Sequence, residues 1–373
     1  MKILFISSWY PSESNLNKGV FVKKHAASIK LTGADIVILA LTINPSSKVY
    51  EKRIFNFVDE NNIPTHIIEI NSRFNKFLHI NIFFQYFLFL KYYRQIIKPV
   101  FSPNIIHSNV IYPAGIIGFW ISKKEKAKSV ITEHWTRLDK FFGKSAYAYF
   151  GKRAFKGSLV TVVSTFLKET LVNHNIPKEN IHLIPNVIEP YFFSLTKQEK
   201  DELVFICCAN WTSHKRPDLI FESLEKLSSG INKKIILNVI GTGALLDNYK
   251  MKNWNYSVNY LGFMDSATIA KVMSEGKYFL HASNDETFSV VIAEALSIGL
   301  PVLASNVGAV PELVNSTNGV LCNNTVDEWV AGILKLINTP EFKSEEIKKG
   351  MERFRAENIG VKFNDAYRLI LSQ

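Results

Sequence analysis

The stretch NDETFSVVIAEALSIGLPV, residues 284–302, places Glu286 and Glu294 in an otherwise apolar run, with seven residues between them. A carboxylate among buried apolar side chains is costly unless a partner offsets its desolvation. Asn284, Asp285 and Thr287 are turn and cap residues, so a helix is expected to begin near Phe288. Glu286 then precedes the helix and Glu294 lies about two turns in. An eight-residue step is about 12 Å along a helix axis and about 80° around it. The amides of Phe288 to Val290 would stand unpaired at the positive helix end, which is an anion site. A carboxylate, an anion site and a second carboxylate then follow in a line. A nucleotide sugar is a hexose, a diphosphate and a ribose in a line, and carboxylates accept hydrogen bonds from its hydroxyls. On spacing alone, two unrelated glutamates, one capping and one solvated, remain the alternative.

The remaining candidates are scattered along the chain. Lys215 in CANWTSHKRPDLI sits beside Arg216 and reads either as a phosphate-binding cation or as a solvated face. His134 follows the strand-like KSVITE and is either a ligand contact or a satisfied turn residue. Gly19 precedes the helix-like VFVKKHAASIK and could serve only as a turn. Gly241-x-Gly243 is a weak phosphate signal, because a dinucleotide fingerprint needs a third glycine where Leu246 stands. His107 reads as core or wall. The three cysteines, Cys207, Cys208 and Cys322, fit neither a disulfide framework nor a zinc site. No Asp-x-Asp pair or His/Asp/Glu cluster has metal-ligand spacing, so no metal is expected.

The elements that must position these residues alternate throughout. KILFIS, ADIVILALT, NIIHSN, KSVITEH, SLVTVVS and IHLIPN read as strands separated by helical segments. The pattern restarts with LVFICCA, the helix RPDLIFESLEKLSS, then KKIILNVIGTG, VNYLGF, KYFLHAS and PVLAS. Such alternation argues for parallel sheets with crossover helices. A chain of 373 residues exceeds one ordinary core, so two doubly wound α/β units are expected. SLTKQEKDE, residues 194–202, reads as a linker, and residues 344–373 as helical.

Charge is unevenly placed. Residues 1–186 carry 25 Lys and Arg against 11 Asp and Glu, and residues 187–373 carry 19 against 22. No acidic residue lies between Glu69 and Glu125. A one-sided basic field favours anionic partners. Residues 73–101 are dense in aromatics and flanked by Arg73, Lys76, Lys91, Arg94 and Lys98. His79, Asn81, Gln85 and Lys91 interrupt the run, so it is read as packing within the first domain or lying in a membrane interface, not as a span. The N-terminal MKILFISSWYP is too short for a signal peptide. With reduced cysteines, this places the chain in a cytoplasm.

In its second half the sequence resembles the retaining glycosyltransferases of family 4. HASNDETFSVVIAEALSIGLPVLASNVGAVPELV, residues 281–314, is similar to the family's donor-binding block, from the paired glutamates to the Gly308–Glu312 element. CANWTSHKRPDLI, NVIGTG, VNYLGF, ITEHW, IPNVIEP and NKGVFVKKHAASIK resemble further family segments in the same order. The sequence departs from the family pattern at Asn210, where an arginine is common, at Ser289 and Ala309, where glycines are usual, and at PNVIE. Arg216 could supply the missing charge.

The resemblance implies the GT-B fold: α/β, with two Rossmann-like doubly wound domains facing across a cleft. Domains are expected over 1–188 and 189–352, with 353–373 a helix returning to the first. The resemblance further implies that Glu286 binds hydroxyls of the donor sugar near the reacting carbon. Glu294 would hold the ribose, and Lys215 would neutralise the leaving diphosphate. Gly241, Phe263 and Thr287 would line the nucleotide. The amides of Phe288 and Ser289 would cradle its phosphates. Gly19 would approach the diphosphate, and His134 would contact the donor sugar from the acceptor side.

The expected reaction moves a hexose from a UDP- or GDP-linked sugar to an acceptor hydroxyl, with retention and without a metal. A lipid-linked glycan of bacterial surface polysaccharide assembly suits the basic first half. The chain would then sit peripherally on the inner face of the plasma membrane, through residues 73–101. The alternatives are a soluble acceptor and a non-catalytic homologue that binds sugar nucleotides. A nucleic-acid partner is not expected, because no RNA-binding motif appears and the second half is acidic.

Overall fold

A computed structural model describes residues 1–13, 15, 18–198, 201–339 and 342–372. The expected linker, 194–202, falls partly outside the described residues, as does the last residue of the C-terminal segment. The chain divides into two compact units: Met1–Val187 with Ala356–Gln373, and Ile188–Arg355.

The first unit is built on eight strands: β1 (Lys2–Ser7), β2 (Asp35–Pro45), β3 (Glu51–Val58), β4 (Pro64–Ser72), β5 (Ile105–Asn109), β6 (Lys128–Glu133), β7 (Leu159–Val162) and β8 (Ile181–Leu183). Their order is β3-β4-β2-β1-β5-β6-β7-β8. All pairs are parallel except β3 with β4. The central strands are apolar on both faces, as a sheet covered by helices on both sides requires. The helix Val20–Lys30 and the helix Ala356–Leu371 share one core, with Val22, Ala26 and Ile29 meeting Ile359, Phe363 and Tyr367. The boundary of this last helix is three residues later than the sequence suggests. The β3–β4 hairpin was not anticipated. β3 is an exposed edge strand carrying Lys52 and Arg53, so it lacks the apolar run that marks its neighbours.

The second unit carries β9 (Leu203–Cys208), β10 (Ile235–Ile240), β11 (Ser257–Gly262), β12 (Tyr278–His281), β13 (Val302–Ser305) and β14 (Gly319–Cys322), ordered β11-β10-β9-β12-β13-β14 and wholly parallel. Short β14 was also missed. In each unit the chain builds outward on one side of a first strand and then returns to the other side. The reversal falls between β1 and β5 in the first unit and between β9 and β12 in the second. Ligands of open α/β sheets bind outside the carboxyl ends of the strands at that reversal.

Residues 73–101 form the helices Asn75–Ile80 and Ile82–Tyr92, followed by the π-helical turn Tyr93–Ile97. Ile82, Gln85, Phe89, Tyr92 and Tyr93 point inward, and Phe83 and Tyr86 pack on Trp120. Phe74, Phe77, Ile80, Phe83 and Phe87 are each at least half exposed. Phe83, Phe87, Lys91 and Arg94 follow one another at helical spacing, so apolar and basic side chains share a stripe. Lys98 is separate, paired with Glu125 at 2.7 Å. Among the described residues, no helix is long and apolar enough to cross a membrane.

Candidate functional site

The second unit places its chemistry at the β9/β12 reversal. The loop after β9 and the loop after β12 are tied to each other. Lys215 forms an isolated bridge with Ser283, Asn284 N donates to His214 O at 2.9 Å, and Arg216 N donates to Ala282 O at 3.3 Å. Trp211 anchors the first loop by donating its Nε1 to Ile240 O at 3.1 Å. Gly241 explains how the next loop closes in. Its φ is +100°, and a Cβ there would lie 1.9 Å from Ala209 O. Gly241 is thus required by backbone packing around the site.

This framework brings Lys215 and Glu286 into an ion pair through Nζ and Oε1. Their side chains are 21% and 12% exposed, so the pair is largely shielded from solvent. His281, the last residue of β12, places Nε2 2.8 Å from the same Oε1 and 3.2 Å from Ser289 Oγ. Burial opposes ionisation of Glu286, but the His281 hydrogen bond and the Lys215 charge outweigh it and hold the carboxyl down to about 2. His281 is itself lowered, first by burial and then by Lys215, against the pull of Glu286. Arg216 does not join them. Its Nε lies 2.8 and 2.9 Å from the two oxygens of Asp218, so its charge is already matched.

The helix begins at Val290, not at Phe288, and runs to Ile298. Ser289 is its cap, in a left-handed conformation with φ 65° that breaks helical continuation. Glu294 is therefore the fifth helical residue, not two turns in. It is 6% exposed. Cys208, at the end of β9, is pushed up to about 12 by its burial and then by the Glu294 charge, which places the carboxylate near the reversal. The amides opening this helix have no intrahelical acceptor. Phe288 turns its ring into the core, edge-on to Phe354 at 5.4 Å, so it faces the site through its backbone. Thr287 is half-buried beside it. Phe263 is 58% exposed just past the end of β11. Among the described residues, no hydrogen bond or ring contact joins it to the Lys215–Glu286 group.

Gly19 and His134 belong to the first unit, again at the carboxyl ends of strands. Gly19 has φ +70°, and a Cβ would lie 2.1 Å from Trp9 O, so its absence of a side chain is a packing requirement. Phe21, two residues on, packs its ring against that of His134, with the centroids 4.1 Å apart and the planes tilted by 35°. Burial holds His134 well below its ordinary value.

Two partners here escaped the sequence reading. Glu133 is fully buried. It accepts from Ile111 N on Oε2 and from His134 N and Trp135 N on Oε1, each at 2.8 Å. Burial pushes its carboxyl up to about 7, against the pull of those three amides. It ties the loop after β5 to the loop carrying His134. Val110, in the first of these loops, has φ 67°, a conformation rare for a β-branched residue. His281 was the other omission. Its only sequence signal is its place five residues before Glu286 at a strand end.

Against known proteins, the family model described as Glycosyl transferases group 1 matches residues 188–353. The one described as Glycosyltransferase Family 4 matches residues 32–191. N-acetyl-alpha-D-glucosaminyl L-malate synthase of Bacillus anthracis is 24% identical over 294 residues, covering 71% of this chain and 74% of that protein. The GPI3 subunit of the phosphatidylinositol N-acetylglucosaminyltransferase of Saccharomyces cerevisiae is 24% identical over 196 residues, which take in 48% of this chain but 42% of the subunit. The crystal structure of Anabaena HepE in complex with UDP superposes with a TM-score of 0.73 at 16% identity, covering 99% of this chain and 100% of that one. Each family model takes one of the two parallel-sheet units, and the chain belongs to glycosyltransferase family 4, the group 1 glycosyltransferases of GT-B fold.

Proposed function

We propose that the chain transfers a hexose, with retention and without a metal, from a nucleotide diphosphate sugar to an acceptor hydroxyl. The observation that carries this reading is the Lys215–Glu286 pair, set at the β9/β12 reversal beside a helix N-terminus with Glu294 behind it. The diphosphate would lie on the helix amides and Lys215, and the ribose on Glu294. Glu286 would orient the sugar hydroxyls and not act as a nucleophile. As the anomeric C–O bond to the diphosphate breaks, Lys215 would stabilise the charge left on the phosphate. The new bond forms to the acceptor oxygen, whose proton passes to the departing diphosphate. Gly19 would approach the diphosphate, and His134 would contact the donor sugar from the acceptor side.

UDP is the first nucleotide to test, since the HepE structure is a UDP complex. Calorimetry with UDP- and GDP-sugars should give saturable binding of one donor class. Glu294→Ala should weaken it about ten-fold, the scale of one hydrogen bond to a charged group. A folded wild type that binds none would overturn the reading.

For the acceptor, the yeast relative is named for phosphatidylinositol and the Bacillus relative for L-malate. The exposed aromatic stripe with Lys91 and Arg94 favours a lipid-linked acceptor in bacterial surface polysaccharide assembly, reached from the cytoplasmic face of the membrane. The protein should cosediment with vesicles containing anionic lipid, and Phe77→Ser with Phe87→Ser should release it. Unchanged binding by that variant would remove residues 73–101 from the interface. No vesicle binding by the wild type would favour a soluble acceptor.

A further inference from the structure

We infer that His281 is a positioning residue of the donor site, fixing Glu286 so that Oε1 is held by the protein and Oε2 alone is offered to a ligand. The inference rests on the reading of Glu286 as a sugar contact.

The geometry is one-sided. Both donors to Glu286, Lys215 Nζ and His281 Nε2, meet Oε1. Among the described residues, Oε2 accepts no hydrogen bond. The two donors differ in kind. Lys215 ends a flexible four-carbon stem, and its proposed partner during reaction is the diphosphate. When it turns there, Glu286 remains a shielded carboxylate that still needs a donor. His281 cannot leave. It is 2% exposed, closes strand β12, and its ring lies parallel to that of Phe279 with the centroids 6.4 Å apart.

The arrangement also accounts for Ser289. Nε2 carries one proton, and Glu286 at 2.8 Å takes it ahead of Ser289 Oγ at 3.2 Å. The Ser289 hydroxyl is therefore a secondary acceptor on the same N–H. The simpler account, a core histidine with no bearing on ligand, predicts that any well-tolerated replacement leaves sugar recognition intact.

The test compares His281→Gln with His281→Asn. The glutamine amide reaches as far as Nε2 and can still donate to Oε1; the asparagine amide falls short. Both are polar, and near-UV circular dichroism checks that each is folded. Calorimetry measures UDP against UDP-glucose and GDP against GDP-mannose. The wild type should bind one sugar nucleotide more tightly than its bare diphosphate. His281→Asn should lose that increment by about ten-fold, the scale of one hydrogen bond to a carboxylate, with the bare nucleotide unchanged. His281→Gln should recover most of it.

Equal weakening of the sugar and bare nucleotides in His281→Asn would mark a merely structural role and overturn the inference. So would unchanged sugar binding, or a glutamine variant no better than asparagine. If neither variant folds, Ser289→Ala and Glu286→Gln serve instead. Ser289→Ala should keep the sugar increment and Glu286→Gln should lose it; the reverse would overturn the inference. Failure of the wild type to bind any sugar nucleotide would instead overturn the proposed function, and is read separately from the variants.

Discussion

Lys215→Ala should lower kcat by about 10²–10³-fold, the usual cost of removing one group that stabilises a developing oxyanion. The nucleotide's KM should change much less, because the helix amides still bind the phosphates in the ground state. The fold should survive. Lys215 lies on a loop held by Trp211 and by the bridge to Ser283, and neither uses the ammonium group. Glu286 would keep His281 as a donor, so its carboxylate is not stranded. Lys215→Arg should restore only part of the rate, since a planar guanidinium does not reproduce a compact ammonium. Turnover of the donor identified by calorimetry measures both variants. A Lys215→Ala enzyme with wild-type kcat would remove Lys215 from the leaving-group role.

Gly308→Ala should damage the site through the backbone of Glu286. Gly308 has φ +51°, and a Cβ there would lie 2.1 Å from the backbone oxygen of Glu286. That oxygen also accepts from Ala309 N at 2.9 Å, so the two loops are pinned together where the added methyl must go. One of them has to move, and Glu286 moves with it. The loss of stability should be on the order of 2 kcal/mol, combining steric displacement with the cost of a left-handed alanine. Donor binding should fall by at least ~100-fold, because both donors to Oε1 lose register. Urea denaturation and calorimetry read the two effects. Full donor affinity in a stable variant would show that the Glu286 loop tolerates displacement.

The two effects illustrate different levels of legibility. The expectation that Lys215, Glu286 and Glu294 share one candidate site came from the family resemblance of the ordered segments around them, beyond what their spacing alone allowed. Gly308 could be noted in the sequence as part of a family element, yet its reason is a carbonyl 22 residues away in the chain. Gly19 and Gly241 repeat this: the family resemblance implied ligand roles for them, and the structure shows the backbones of Trp9 and Ala209 crowding them. Arg216 is the opposite case. Its charge looked available, but Asp218, two residues on, occupies it.

By itself the sequence determined the two α/β units, most of their strands, the basic bias of the first half and the residue types at the candidate site. These rest on local properties: apolar periodicity, turn residues and the charge each side chain carries. Only the tertiary structure decided the strand orders, and with them the reversal that collects Lys215, Glu286 and Glu294. It also decided the edge hairpin, the left-handed Ser289 that delays the helix, and the pairing of His281 and Glu133 with their partners. Those outcomes depend on which backbones approach one another and which buried polar atoms must find a donor. The strand pairings join residues far apart in the chain, and even the short step from His281 to Glu286 closes only through the turn between them, which no periodic pattern encodes.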